Sequence, residues 1–153
     1  MKVTICAVGK LKSNAPEVAI FEKYAKMLKW DVEVKEVLEA KNLPLEKLIA
    51  NEGEKLLKVI PKDAFKVVLD ETGKMLSSVE FAEEISKIRD QGKSDIAFLI
   101  GGANGHAESI VKEADLVLSL GKMVWPHFLV RPMLMEQIYR AKTIIEGHPY
   151  HRD

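Results

Sequence analysis

The sequence predicts an α/β fold in which a mostly parallel sheet is covered by helices on both faces. Two observations carry this. Short β-branched runs such as Val3-Thr4-Ile5-Cys6-Ala7-Val8 alternate with longer segments whose apolar residues recur at helical spacing, and parallel neighbours need such helical crossovers. Most of the strand segments are also continuously apolar, as strands buried on both faces are. At 153 residues and 47% hydrophobic side chains, one domain spanning 1–153 can bury a core of ordinary size.

The elements follow in order. Residues 2–8 form a first strand ended by Gly9, and 16–28 place Val18, Phe21, Ala25 and Leu28 at helical spacing behind an expected N-cap at Asn14. Residues 31–38 alternate charged and aliphatic side chains with a period of two, so this strand has one wet face and belongs toward a sheet edge. Pro44 opens a second helix carrying Leu45, Leu48, Ile49, Leu56, Leu57 and Ile60, with Gly53 as a tolerated weak spot. Residues 65–69 read as a short buried strand ending at Asp70-Glu71-Thr72-Gly73. Ser77-Ser78-Val79-Glu80 has the form of a capping box and opens a helix that runs to about Gly92. A buried strand over 95–100, a short helix over 106–113, a fifth strand over 115–120 and a last helix over 132–146 complete the pattern. Leu134, Ile138, Ala141 and Ile145 form the stripe of that last helix, with Pro132 in its first turn.

Ligands of such sheets sit outside the carboxyl ends of the strands. The loops leaving those ends, over 69–74, 101–105 and 120–127, should converge on one crevice. Composition narrows what enters it. The 23 basic and 23 acidic side chains cancel, so no field over the whole molecule draws DNA, RNA or a membrane surface, and a polyanion site must be local. Basic groups gather late in the chain, at Lys122, Arg131, Arg140, Lys142 and Arg152, with three of the four histidines. The single cysteine, Cys6, sits in an apolar strand and excludes an intrachain disulfide. With no signal-like start and no apolar stretch near the roughly 20 residues a membrane helix needs, a cytoplasmic location is expected. The histidines lack metal-ligand spacing and there is no nucleophile elbow, so neither a metal site nor a serine hydrolase is expected. Singly, the remaining signals are weak. The Gly101-Gly102-Ala103-Asn104-Gly105 turn matches neither the dinucleotide fingerprint nor a phosphate loop. His127 beside Pro126 reads as a packed histidine, and Glu136 with Arg140 reads as a helical ion pair of about 0.3 kcal/mol.

Together these segments resemble a known family. Leu99-Ile100-Gly101-Gly102-Ala103-Asn104-Gly105, Leu118-Ser119-Leu120-Gly121-Lys122-Met123, Trp125-Pro126-His127-Phe128-Leu129-Val130-Arg131, Glu136-Gln137-Ile138-Tyr139-Arg140-Ala141 and the ending His148-Pro149-Tyr150-His151-Arg152 are similar to the RlmH family of small ribosomal RNA methyltransferases, in the SPOUT superfamily. Ala7-Val8-Gly9-Lys10-Leu11-Lys12, Asn51-Glu52-Gly53-Glu54 and Leu69-Asp70-Glu71-Thr72-Gly73-Lys74 with Ser77-Ser78 fit in the same order, so the resemblance covers the whole chain. It implies a C-terminal trefoil knot, which base rates alone would argue against. It implies a homodimer that moves the methyl group of S-adenosylmethionine, without a metal, to N3 of a pseudouridine in 23S ribosomal RNA of the assembled ribosome. Cofactor contacts carry over to Leu69, Gly102 and the stretch Gly121, Lys122, Met123, Val124, Trp125 and Pro126. Gly121 stands where the family usually has Ser and Val124 where it often has Thr, so backbone rather than hydroxyl contacts are expected there.

For the RNA and the chemistry, the candidates are His127, Glu136 or His151 as proton acceptors, Arg131 or Arg140 as stabilisers of negative charge, Tyr150 or Trp125 as a stacking surface, and Arg152 as a phosphate contact. The tail over 148–153 carries little apolar area, so it is expected to order over the bound nucleotide. Two alternatives accompany this reading: a ribosome-binding module without turnover, and a methyltransferase of the same superfamily acting on transfer RNA. The ending His-Pro-Tyr-His-Arg separates the chain from the latter.

Overall fold

The computed structural model describes residues 1–152. Five strands, β1 (Lys2–Val8), β2 (Asp31–Val37), β3 (Phe65–Met75), β4 (Asp95–Ile100) and β5 (Leu116–Ser119), form one sheet in the order β2-β1-β4-β3-β5, every pair parallel. The helices are α1 (Pro16–Leu28), α2 (Leu45–Val59), α3 (Ser78–Asp90), α4 (Glu108–Lys112) and α5 (His127–Ile145).

The pleat of the central strands divides the core in two. Val3, Ile5 and Ala7 of β1, with Ile96, Phe98 and Ile100 of β4, face Leu28, Phe81, Ile85, Leu134 and Ile138 from α1, α3 and α5. Cys6 and Val8, with Ala97 and Leu99, face Leu56 and Ile110 from α2 and α4. Each large side chain so enclosed contributes about 1.5–3 kcal/mol relative to exposure. Burial also pushes the Cys6 thiol up to about 12, which makes it an inert core residue. The charged alternation of β2 does mark an edge strand, paired only with β1.

Several boundaries differ from those read in the sequence. Ala15, not Asn14, occupies the N-cap of α1 and makes no side-chain cap; Pro16, with no N–H to satisfy, begins the helix instead. The short helix narrows to Glu108–Lys112 and the fifth strand to Leu116–Ser119. The capping box of α3 forms as expected, with the Glu80 amide donating to Ser77 Oγ at 3.2 Å and the Ser77 amide donating to the Glu80 carboxylate at 2.7 Å.

Three corrections bear on the site. First, β3 does not end at Leu69: Leu69 and Lys74 both pair with Leu118, so residues 70–73 loop out as a bulge and the strand resumes to Met75. Second, α5 starts at His127, so Pro132 lies inside the helix, buried, at the cost of one intrahelical bond. Third, Gly53 is a packing site rather than a weak spot, because a Cβ there would lie 3.1 Å from Ile110 Cγ1 and hold α4 away from α2.

Candidate donor pocket and adjoining polar cluster

The bulge of β3, the glycine turn after β4 and the segment after β5 enclose a cavity of about 540 Å³ at the carboxyl ends of these strands. The expected convergence of loops therefore occurs, with a bulge in place of the first loop. Asp70 fixes that bulge as an Asx turn, accepting the Thr72 amide at 2.9 Å and the Thr72 hydroxyl at 2.6 Å. The glycine turn closes on itself through the Gly105 amide, which donates to the Gly102 carbonyl at 3.1 Å. Gly102 tolerates no side chain without movement, since a Cβ would stand 3.0 Å from Glu52 Oε2 and 3.1 Å from Val8 Cγ1. After β5, Ser119 Oγ accepts the Gly121 amide at 3.2 Å, and Gly121 adopts φ +114°, a conformation that disfavours any side chain there.

Leu69, Gly102, Gly121, Met123, Val124 and Trp125 all line this cavity. Val124 is 87% exposed at its lip, and the Trp125 indole N–H folds back to the Leu120 carbonyl at 3.3 Å. Lys122 is exposed and Pro126 serves as the N-cap of α5; neither lines the cavity. Sequence reasoning missed His106, which follows the glycine turn, lines the cavity and shares a 3.2 Å hydrogen bond with the Leu99 carbonyl. Since a carbonyl only accepts, the imidazole donates through Nε2. Burial lowers the His106 pKa and keeps the ring neutral.

The residues expected to act on RNA fall into two groups. His127 lines this cavity, its Nε2 at 3.4 Å from Glu39 Oε1 without hydrogen-bond alignment. Arg131, one turn further along α5, is 2% exposed and bonds to the Glu36 carboxylate, to the Val8 carbonyl at 3.1 Å and to the Gly9 carbonyl at 2.6 Å. It ties α5 to the ends of β1 and β2 and presents nothing to solvent.

Glu136, Arg140, Tyr150 and His151 form the second group. Glu136 Oε1 accepts hydrogen bonds from Arg140 Nε at 3.0 Å, from Arg140 Nη2 and from the Tyr150 hydroxyl at 2.9 Å. Arg140 Nη1 also lies 3.2 Å from His151 Nδ1, and its guanidinium stacks 4.8 Å from the centre of the Tyr150 ring. Burial, with hydrogen bonds to Tyr24 and Glu136, holds the Tyr150 phenol above its usual range, so it remains a donor. The tail is thus already docked, with Tyr150 edge-on to Tyr139 at 4.8 Å and packed against the core; its expected lack of apolar contact does not hold. Arg152 is exposed beyond it. Among the described residues no cluster of histidine, cysteine or carboxylate groups is placed to hold a metal.

A second, more apolar groove of about 620 Å³ runs between α1, the end of β3 and α5, lined in part by Ile20, Tyr24, Met75, Leu129 and Met133. It shares Leu118 through Gly121 with the first cavity and reaches Glu136 at its polar end.

The fold is similar to that of a probable methylase family protein from Haemophilus influenzae Rd KW20, which superposes with a TM-score of 0.59 at 13% identity, covering 99% of this chain and 70% of that one. A family model described as "Predicted SPOUT methyltransferase" matches residues 1–151, and the chain belongs to that family. More particularly, it is 47% identical over 152 residues to the ribosomal RNA large subunit methyltransferases H of Paramagnetospirillum magneticum and Rhodospirillum centenum, with 99% of each chain covered. That of a Ruegeria species is 44% identical over 160 residues, again with 99% of both chains covered.

Proposed function

We propose that this chain transfers the methyl group of S-adenosylmethionine to N3 of a pseudouridine in 23S ribosomal RNA, on assembled ribosomes in the cytoplasm and as a homodimer. The observation that carries the reading is the glycine-backed cavity, joined through residues 118–121 to a groove that reaches Glu136 of the ordered Arg140–Glu136–Tyr150–His151 cluster. The cavity suits an elongated, partly cationic nucleoside: its walls are mostly backbone and aliphatic, and Asp70 and Glu71 lie on one side. Leu69, Gly102 and the backbone at Gly121 and at 123–125 would hold it.

When bound, S-adenosylmethionine supplies a methyl group already activated on a sulfonium, so no leaving group needs a proton. The protein's work is positioning and charge. The N3 position must lose a proton, and negative charge then spreads onto the flanking carbonyl oxygens. Arg140, oriented by Glu136 and His151, is the cation that receives that charge. The proton acceptors that stand with Arg140 are Glu136 and His151, whereas His127, thirteen residues earlier on α5 and so about 20 Å away at 1.5 Å per residue, belongs to the cavity end of the helix with Glu39 beside it. Arg131 acts by anchoring the start of α5, on which His127 sits. Tyr150, in the Arg140 cluster, or Trp125, at the cavity, offers the target base an aromatic surface, and Arg152 reaches its phosphates. The C-terminal segment is also inferred to be drawn into a trefoil knot, as in the family.

The decisive experiment is transfer of labelled methyl groups to ribosomes from a strain lacking the modification, with the modified nucleotide mapped. Wild-type protein should label one position of 23S RNA. Gly102→Val should abolish labelling and S-adenosylmethionine binding while the protein stays folded, because the new side chain meets Glu52 and Val8 behind the turn and drives it into the cavity. A folded variant with unchanged affinity would remove the pocket from this reading.

A further inference from the structure

Glu52 lies on α2, behind the glycine turn, and is only 5% exposed. Its two carboxylate oxygens are used unequally. Oε1 accepts the Ala40 amide at 3.0 Å, which fixes the segment between β2 and α2 next to Glu39, the partner of His127. Oε2 is buried and has no hydrogen-bond partner. It lies directly behind the donor pocket, 3.0 Å from where a Cβ of Gly102 would stand. The next residue, Gly53, brings the segment after the glycine turn in close, so α2 backs that turn with a packed contact and an unused acceptor side by side. Buried acceptors in folded proteins are almost always paired, so an unpaired one against a ligand-binding turn points to a partner acquired in another state.

We propose that Glu52 is a positioning residue for the donor pocket: its free Oε2 accepts a backbone amide of residues 101–105 when the turn tightens around S-adenosylmethionine. The same side chain then spans the pocket wall and, through Ala40 and Glu39, the His127 end of the site. This rests on the assignment of the cavity to the methyl donor. Glu52→Gln separates the two halves of the role. The amide oxygen still accepts from Ala40, whereas the nitrogen that replaces Oε2 cannot accept anything.

Binding of S-adenosylhomocysteine to the full chain, measured by calorimetry, should weaken about tenfold in Glu52→Gln, with little change in melting temperature without ligand. Hydrogen exchange supplies the direct readout: in the wild-type protein at least one amide among 101–105 should gain protection on adding S-adenosylhomocysteine, and in Glu52→Gln that gain should vanish. Equal affinity and equal protection in the two proteins would overturn the role of Oε2. If Glu52→Gln does not fold, the wild-type arm decides alone, since an absence of gained protection at 101–105 with ligand bound overturns the proposal. A wild-type protein that binds no S-adenosylhomocysteine would instead overturn the pocket assignment itself and this proposal with it.

Discussion

Arg131 and Arg140 stand on the same helix and do different work, although nothing in the sequence around either one tells them apart. Arg131 is enclosed and directs its two Nη groups to Glu36 and to two carbonyls at the end of β1, whereas Arg140 is partly open and is paired with Glu136. Burial is decided by distant segments, so it was not legible at either position. The same is true of His106, whose proximity to Gly105 was visible but whose bond to the Leu99 carbonyl was not. That histidine gives the molecule a testable acid sensitivity. Its folded pKa is lowered by burial, with Asp70 the facing charge that opposes the shift, so the unfolded chain takes up the proton first. The stability supplied by the neutral ring is complete above the unfolded value of about 6.5 and is lost as pH falls from there toward the lower folded value. His106→Gln keeps a donor for the Leu99 carbonyl and cannot titrate, so its melting temperature should decline less than the wild type's between about pH 7 and pH 5. Superimposable profiles would assign the acid sensitivity to another group.

At the scale of elements, strands and crossovers were legible because buried parallel strands leave an apolar signature of their own. What was not legible were interruptions that depend on neighbours. Asp70-Glu71-Thr72-Gly73 has the composition of a terminating turn, and only the pairing of β5 on both sides of it makes it a bulge inside β3. The start of α5 was missed for a related reason: a buried arginine breaks the apolar stripe over its first turns, and Pro132 resembles a helix opening when it is an interior residue. The tail shows the same limit, since Tyr150 finds its apolar partner, Tyr139, on a helix whose register the sequence does not fix to that precision. Deleting residues 148–153 should therefore cost stability as well as activity. The aromatic pair is worth about 0.5–1.5 kcal/mol and the hydrogen bond to a charged acceptor about 1.5–3 kcal/mol, so a loss of about 2–4 kcal/mol is expected in urea unfolding. Affinity for S-adenosylmethionine should persist, because no described residue of the tail lines the cavity, while transfer to ribosomes falls by orders of magnitude. Normal transfer by the truncated chain would take the tail out of the site.

The whole molecule carries no net charge, and much of the late cluster of basic residues is spent internally. Arg131 pairs with Glu36, Arg140 with Glu136, and Lys142 with Glu146 at 2.8 Å. Of these late basic residues a lone subunit leaves only Lys122 and Arg152 exposed, and electrostatic capture of RNA scales with the number of phosphates neutralised. The groove between α1 and α5 suggests how this is remedied. Ile20 is 46% and Met75 57% exposed along it, and the groove meets the donor cavity across residues 118–121. A second copy seated there would cover apolar surface that a monomer leaves wet and would bring a second set of basic ends beside the first pocket. Light scattering at micromolar concentration should accordingly give about twice 17.2 kDa. Ile20→Glu, which places a charge in the groove and touches neither the donor cavity nor the Glu136 cluster, should shift the protein to the monomer mass. S-adenosylmethionine binding should then survive and methyl transfer to ribosomes collapse. A wild-type monomer that methylates ribosomes at the full rate would show that one subunit suffices and that the groove serves something other than self-association.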